Sequence, residues 1–371
     1  MTTTTPAPPA ARATGRDRLR TLATPIGGLP IVVVLALLPL LAIPGMGILP
    51  GPTYTPGSLH LMAYTMLVVA VALSYHLLFG VAGLLSFGHA LYFGAGVYGL
   101  ALVLQHTDIP LIPAAALVLV GGIALSHVIG AISLRVSGIS FAMVTLAFAE
   151  AGNVLVRRNP GRTTGGDEGL ALNTKNVPDL LVGVVNTRWL YWLALAVVVV
   201  VYLVVAWIEH TRAGHVIAAT RENELRVRVL GGRPYLVKLL TFVIAGTLAT
   251  LAGMAFLLLQ SGASHTSTGT QFTLSLLVMV VLGGLGKRWG AILGAVIYTL
   301  LDQRLTALSN SPAIASLPGF LHVPLSEPMF LLGTLFILCV LFLPGGIAGT
   351  ADRLRSRGRV AEHRDAIEEV V

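Results

Sequence analysis

Charge is what this chain has least of: only 11% of its 371 residues are Asp, Glu, Lys or Arg. An ordinary soluble chain carries about 25%. So few charges cannot cover a water-exposed globule, which excludes a large soluble domain. Cysteine is nearly missing as well. The lone Cys339 lies in an apolar run, so an internal disulfide and a cysteine-based metal cluster are excluded. There is no G-x-x-x-x-G-K-[ST] phosphate loop; "LGGLGKR" has Arg288 where the hydroxyl must stand. HExxH, G-x-S-x-G and Cys/His metal pairs are also absent. No catalytic residue, metal ligand set or cofactor site is therefore read in this chain. The net charge of +8 does not call for nucleic acid, because most of the surplus sits at the two ends and in short loops. That is where Lys and Arg face cytoplasm and anionic lipid.

What the chain has is apolar length. A membrane helix needs roughly 20 mainly apolar residues, and candidate spans fall at 29–49, 59–79, 83–104, 111–134, 138–156, 190–208, 238–260, 272–286, 289–307 and 327–345. The fold class predicted is an all-α polytopic membrane protein of about ten transmembrane helices. Basic residues at the start (Arg12, Arg16, Arg18, Arg20) and the end (Arg353, Arg355, Arg357, Arg359) predict that both termini are cytoplasmic. An even span count satisfies both. It puts loop 209–237 and the Lys287-Arg288 turn inside. Loop 157–189 falls outside, against the charge of Arg157, Arg158 and Arg162. The Thr/Pro/Ala-rich residues 1–28 are compatible with a targeting peptide. No clear cleavage site follows the first apolar run, so they read as a disordered cytoplasmic tail before a transmembrane domain at 29–349. Residues 350–371 read as a second cytoplasmic tail.

Some spans are broken or short. Phe272 to Leu285 offers little length, and "GLLSFGHALYFGAGVYG" at 83–99 is interrupted by glycines. Non-helical backbone at membrane depth survives only where protein buries it or water fills a cavity beside it. Paired broken segments are a mark of a transport path. A shift of 200 residues aligns Val81, Gly83, Leu85, Gly94, Ala95, Tyr98 and Leu100 with Val281, Gly283, Leu285, Gly294, Ala295, Tyr298 and Leu300. Under the ten-span topology this is a possible parallel internal repeat. Chance matches in a chain so rich in Gly, Ala, Val and Leu explain it equally well.

Gly94, Gly96 and Gly99, and later Gly290 and Gly294, allow close helix packing, as small residues do in membranes. Ser86 and His89 each need a hydrogen-bond partner or water at this depth. An ionisable residue inside a span marks a pathway by default; a bond from His89 to a neighbouring carbonyl is the simpler alternative. Thr145 is undecided in the same way. Glu150 either meets a substrate ammonium group or pairs with Arg157 or Arg158 as an anchor. "NPGRTTGGDEGL" is built of turn formers, and its Asp167-Glu168 pair lacks the ligand number calcium needs. Loop 209–237, "EHTRAGHVIAATRENELRVRVLGGRPYLV", predicts a helix from about Ala213 to Leu230, closed by Gly231-Gly232. Its apolar points and mixed charges (Arg221, Glu222, Glu224, Arg226, Arg228) suit either a membrane surface or a matched protein partner.

Together "GLLSFGHALYFGAGVYG", "ISFAMVTLAFAE", "TTGGDEGL", "TRAGHVIAATRENELRVRVLGG", "VLGGLGKRWGAILGA" and "LFLPGGIAG" resemble the LivM-type permease subunits of branched-chain amino-acid ABC importers, over roughly residues 60–350. The resemblance implies a permease in the bacterial inner membrane and a second permease subunit. It also implies two cytoplasmic ATPase subunits that bind ATP, and an extracytoplasmic substrate-binding protein. Ser86, His89, Thr145 and Glu150 become transport-path candidates, and Arg221, Glu222, Glu224, Arg226 and Gly231 ATPase-coupling candidates. Lys287-Arg288, Gly345 and the first thirty residues depart from the family's pattern, and the substrate stays open: urea, short amides or other amino acids are carried by relatives. An ion-gradient transporter working alone and a non-transporting scaffold are the rival classes.

Overall fold

The computed structural model describes residues 29–43, 49–309, 328–342 and 345–350. The predicted tails, Thr350 apart, lie outside these residues. Helix α1 (Leu29–Leu37) runs into a short 3-10 turn at Leu38–Leu40. Then come α2 (Pro56–His76), α3 (His89–His106), α4 (Leu111–Ser133) and α5 (Ile139–Arg158). After a looped excursion follow α6 (Thr187–His210), the short pair α7 (Arg212–Glu222) and α8 (Glu224–Val229), and α9 (Pro234–Gln260). The chain continues through α10 (Thr270–Gly283), α11 (Arg288–Ser309) and α12 (Pro328–Phe342).

Local chemistry sets many of the boundaries. Proline opens α2 and α9 at the first turn, where its missing N–H costs nothing. Asn159 and Ser261 end α5 and α9 in the left-handed region. Gly284, at φ 110°, ends α10, a conformation a β-carbon would oppose.

Among the described residues five helical stretches are long and apolar enough to cross a membrane: Pro56–Val81, Leu111–Ser133, Ile139–Arg158, Val184–His210 and Pro234–Gln260. The first predicted span is shorter than expected, since the α-helix stops at Leu37 and Pro39 sits in the 3-10 turn. The eighth, α10, has 14 residues, too few for a full crossing. The third begins only at His89, so 83–88 is non-helical.

Loops gather at two opposite ends. At one end Tyr235 donates to Ala131 O, Lys238 pairs with Glu224, and Glu209 pairs with Arg288. At the other, Lys175 pairs with Asp108, and Leu170–Ala171 forms a two-residue antiparallel ladder with Gly262–Ala263. Loop 209–237 thus lies opposite loop 157–189. Helix α6 carries Trp189 near its start and Trp207 near its end, both exposed. Their separation along the helix is about 27 Å, close to the hydrocarbon thickness of a bilayer, with aromatics at the interfaces.

Helices α2 and α9 form the centre. In their most apolar stretches 78% and 72% of residues are buried, against 28% and 22% for α4 and α5. Helix α3 packs on α9 through glycine: a β-carbon on Gly96 would strike the Thr250 backbone, and one on Gly253 the Phe93 backbone. Gly94 lies against Thr268 and Gly99 against Val118. On the other side of the molecule Gly290 meets the Gly283 and Gly284 carbonyls, and Gly294 the backbone of Met279 and Gly283. The aligned stretches at 81–100 and 281–300 each leave a helix, pass through a non-helical break and enter a second helix, at His89 and Arg288.

Candidate translocation path and docking surface

The break at 83–88 leaves the first amides of α3 at membrane depth, where each orphan N–H needs a partner. Side-chain hydroxyls, one from the break itself and two from other helices, accept from the amides at and just before the start of α3. Thr145 Oγ1 of α5 accepts from Phe87 N at 3.2 Å, Ser86 Oγ from Gly88 N at 3.2 Å, and Thr273 Oγ1 of α10 from Ala90 N at 2.9 Å. Ser86 and Thr145 are both buried. The structure thus brings these two path candidates to one spot, as caps of the broken crossing. Thr273 completes the set, and the sequence carried no signal for it beyond the short helix it sits on.

His89, the first residue of α3, is fully buried. Its Nε2 lies 2.8 Å from Ser74 Oγ, and Ser74 in turn donates to Val71 O at 2.7 Å. With the one serine hydrogen used there, His89 Nε2 is the donor to Ser74. Nδ1 is buried without a partner. The ring stands edge-on to Tyr75 at 5.2 Å and to Tyr92 at 6.2 Å, and Tyr75 donates to Ser86 O. The imidazole faces protein on all sides.

Glu150 is placed differently from the pairing expected. Arg157 binds Asp167 at 3.1 Å, and Glu150 accepts from Thr270 Oγ1 at the start of α10. The reason is position: Asn159 turns the chain at the end of α5 and folds Asp167 back over Arg157, two helical turns from Glu150. The Glu150 side of α5 is exposed.

Loop 209–237 folds as two helices and not as one continuous helix from Ala213 to Leu230. Asn223 is extended (φ −155°, ψ 100°), and its Oδ1 accepts from Arg226 N at 2.9 Å, an N-cap in mid-loop. Gly231, at φ 83°, closes α8 with its amide on Arg228 O. The coupling candidates divide into two kinds. Arg221, though exposed along part of its length, donates through Nη1 to Gly80 O, and its stem covers Gly83. Glu224 is engaged by Lys238 at 2.8 Å and Arg228 at 3.7 Å. Glu222 and Arg226 are exposed, beside Leu225, Val229 and Leu230, which are 69%, 80% and 81% exposed.

Beneath this surface, Glu209 bridges two helices that its sequence position does not reveal. Its Oε1 lies 3.1 Å from His76 Nε2 of α2, and its Oε2 lies 2.7 Å from Arg288 Nε of α11. Arg288 also stacks over the Tyr202 ring at 5.5 Å. His76 is held under the π-helical turn Leu77–Val81, where a β-carbon on Gly80 would strike the imidazole. Sequence reading missed all of these, because His76 and Arg288 are 133 and 79 positions from Glu209 by their numbers. Among the described residues no group of His, Cys, Asp and Glu can hold a metal ion.

Two recesses flank the broken segment. One of about 830 Å³ opens at the loop 209–237 end, lined by Gly83, Phe87, Arg135, Arg221, Glu224 and Lys238 among others. The other, about 880 Å³, opens at the opposite end above Phe93 and Phe272. A helical membrane protein with a broken polar centre, a recess at each end and a partner-sized loop at one of them is built as a transport component.

The chain belongs to the family described as branched-chain amino acid transport system / permease component, whose model matches residues 58–340. It is 27% identical over 316 residues to the high-affinity branched-chain amino acid transport system permease protein LivM of Salmonella typhimurium, covering 78% of this chain and 70% of that one. The LivM protein of Escherichia coli is 25% identical with the same coverage. The ribose import permease protein RbsC of Escherichia coli is 34% identical, over only 29% of this chain and 35% of that one. No solved structure matches the chain. The family is one of membrane permease components and not of enzymes.

Proposed function

We propose that this chain is the permease subunit of an ATP-driven importer that carries leucine, isoleucine or valine across a bacterial plasma membrane by alternating access. The observation that supports it best is the tie between loop and centre. Arg221, on the loop read as the ATPase-docking segment, holds the Gly80 carbonyl at the last helical turn before the break. A push on α7 from outside is thereby delivered to the one part of the central helices that already lacks a regular backbone. The substrate reading rests on coverage: the amino-acid relative matches 78% of this chain and the ribose relative 29%.

In this reading the loop 209–237 end is cytoplasmic. Arg135, Arg212, Arg226, Arg228, Arg233 and Lys287 lie in the connections at that end, and outnumber Arg157, Arg158, Arg162, Lys175 and Arg188 at the other, the sense of the positive-inside rule. Leu225, Val229 and Leu230, flanked by Glu222 and Arg226, dock one of two ATPase subunits, which bind the ATP. The exposed face of α5 packs on a second permease subunit and lines the path with it. A carboxylate such as Glu150 does not face lipid without heavy cost. A substrate-binding protein docks at the opposite end.

A tagged pull-down from native membrane tests the assembly. An ATPase and a second permease recovered with the chain, and leucine uptake by the reconstituted complex, are the expected results. Recovery of the chain alone, in detergent that preserves other ABC complexes, would put a gradient-driven transporter in its place.

A further inference from the structure

We infer that the recess opposite the docking loop is a substrate site for a zwitterion with an apolar tail, seated on aromatic rings and held at its rim by charges of both signs. The inference rests on the amino-acid reading above for its ligand class and on the geometry for its place. The apolar floor comes from four helices. Phe93 of α3 packs against Phe256 of α9 at 5.1 Å and Phe272 of α10 at 4.8 Å, and Tyr64 of α2 meets Phe256 at 5.7 Å. All four rings line the same recess of about 880 Å³. That is ample for an amino acid, and of the order of known small-molecule pockets.

The rim is polar and carries opposite charges. Arg157 and Glu168 both line it, with Asn153, Ser275 and His265 between or below them. Asp167 engages Arg157 through Nε at 3.1 Å, which orients the guanidinium and leaves its other donors for a carboxylate. Glu168 is exposed and has no ion-pair partner among the described residues. His265 Nδ1 is buried without a hydrogen-bond partner, an acceptor or donor still unmatched at the wall. An α-carboxylate on Arg157 and an α-ammonium on Glu168 place the side chain of leucine over the rings. A neutral sugar also stacks on rings but offers no charge to the free donors of Arg157 or to Glu168, so it gains no charge-assisted hydrogen bond at the rim. The recess therefore selects amino acids by their two charges and apolar ones by its floor.

The test uses the assembled transporter with its partner subunits and binding protein. Arg157→Gln is the variant of choice, because Arg157 and Asp167 are both more than half exposed and such pairs add little to stability. Wild type should prefer leucine to leucinol, which lacks the carboxylate; Arg157→Gln should lose that preference by about ten-fold, the worth of one charge-assisted hydrogen bond. As a direct readout, Ser275→Cys in a Cys339→Ser background should react with a membrane-impermeant maleimide, and leucine but not ribose should slow the reaction. Unchanged preference in Arg157→Gln together with no protection at position 275, in a complex that takes up leucine, overturns the site. A wild-type complex that takes up no amino acid but takes up ribose, with ribose protecting position 275, overturns the ligand class and the functional reading while keeping the recess as a site.

Discussion

Arg221 and Gly80, 141 positions apart, are joined by a hydrogen bond from the guanidinium Nη1 to the glycine carbonyl. This bond is the physical link between a surface helix and the interrupted centre. It exists because the π-helical turn Leu77–Val81 and the turn after it leave a carbonyl without a helical partner. The stem of Arg221 lies over Gly83, which is at φ 70° and has no side chain to obstruct it.

Replacing Arg221 with Ala should therefore loosen the link without unfolding the core. Uptake should fall by about ten-fold, as for loss of a charge-assisted bond, while ATP hydrolysis continues. More ATP is then spent per substrate carried. Lys at this position restores the charge but not the reach of the planar group, and only part of the activity. Equal losses of hydrolysis and uptake would show that Arg221 serves folding and not coupling.

The exposed apolar points of α8 call for a different experiment. Leu225 and Val229 lie one turn apart and are 69% and 80% exposed, so changing both to Ser costs this chain little. In the proposed assembly they sit in the ATPase interface, where exposed apolar anchors carry affinity. The double variant should insert and fold normally but lose the ATPase in a pull-down. Glu224→Lys is a poorer probe than the sequence suggests, because it also breaks the contacts to Lys238 and Arg228 within this chain. Retention of the ATPase by the Ser double variant would move the docking surface elsewhere on the loop.

What was legible in the sequence follows from how far each signal reaches. Helices and breaks are written in short stretches: apolar length, the glycines after Val81, Pro56 and Pro234 at helix starts. The break in loop 209–237 was also local, in Asn223, yet a strong pattern of helix formers on both sides hid it. The clamp of His76, Glu209 and Arg288 depends on three helices meeting, and no periodicity reports that. For Glu150 the sequence offers only a substrate ammonium group or the nearest opposite charges along the chain, Arg157 and Arg158. The fold brings Thr270 to it from another helix.

The loop end opposite the docking surface offers a pH test. Lys175, by hydrogen bond first and by charge second, holds the Asp108 carboxyl below its usual range, and Asp108 raises Lys175 in return. For Asp108 the folded value is depressed, so its contribution is present above the unfolded value near 3.9 and is lost as pH falls through the folded one. For Lys175 the contribution is full below the unfolded value near 10.4 and is lost as pH rises through the higher folded one. Between these limits the link from loop 107–110 to loop 172–177 should be insensitive to pH. Both groups are fully exposed, so salt should weaken it. Hydrogen exchange at Leu111 N, which donates to Asn176 O, reports the link: exchange should quicken below about pH 4 in wild type and be equally fast at all pH values, after correction for intrinsic rates, in Asp108→Asn. A wild-type profile already matching the variant's at neutral pH would show that the pair holds nothing.

Gly96 and Gly99 lie on the same helix and should respond unequally to the same change. Alanine is the better helix former by about 1 kcal/mol, so any loss measures packing. At Gly96 the new methyl meets backbone: the Thr250 carbonyl, with its carbon at 2.9 Å. Thr250 cannot retreat, because its hydroxyl fills the space left by the missing side chain of Gly122 and shares its one hydrogen between Tyr92 O at 3.1 Å and Gly246 O of its own helix at 3.0 Å. Helices α3, α4 and α9 are all pinned at that point. At Gly99 the obstacle is one methyl of Val118 at 3.0 Å, on the less buried α4, which can give by a few tenths of an ångström. Gly96→Ala should lower stability by about 1–3 kcal/mol, as overpacking does, and Gly99→Ala should change it by less than about 1 kcal/mol. Thermal unfolding of each variant in the assembled complex reads the difference. Equal stability of the two would mean that α3 and α9 separate more easily than their backbone contact implies, and that the glycines do not set their approach.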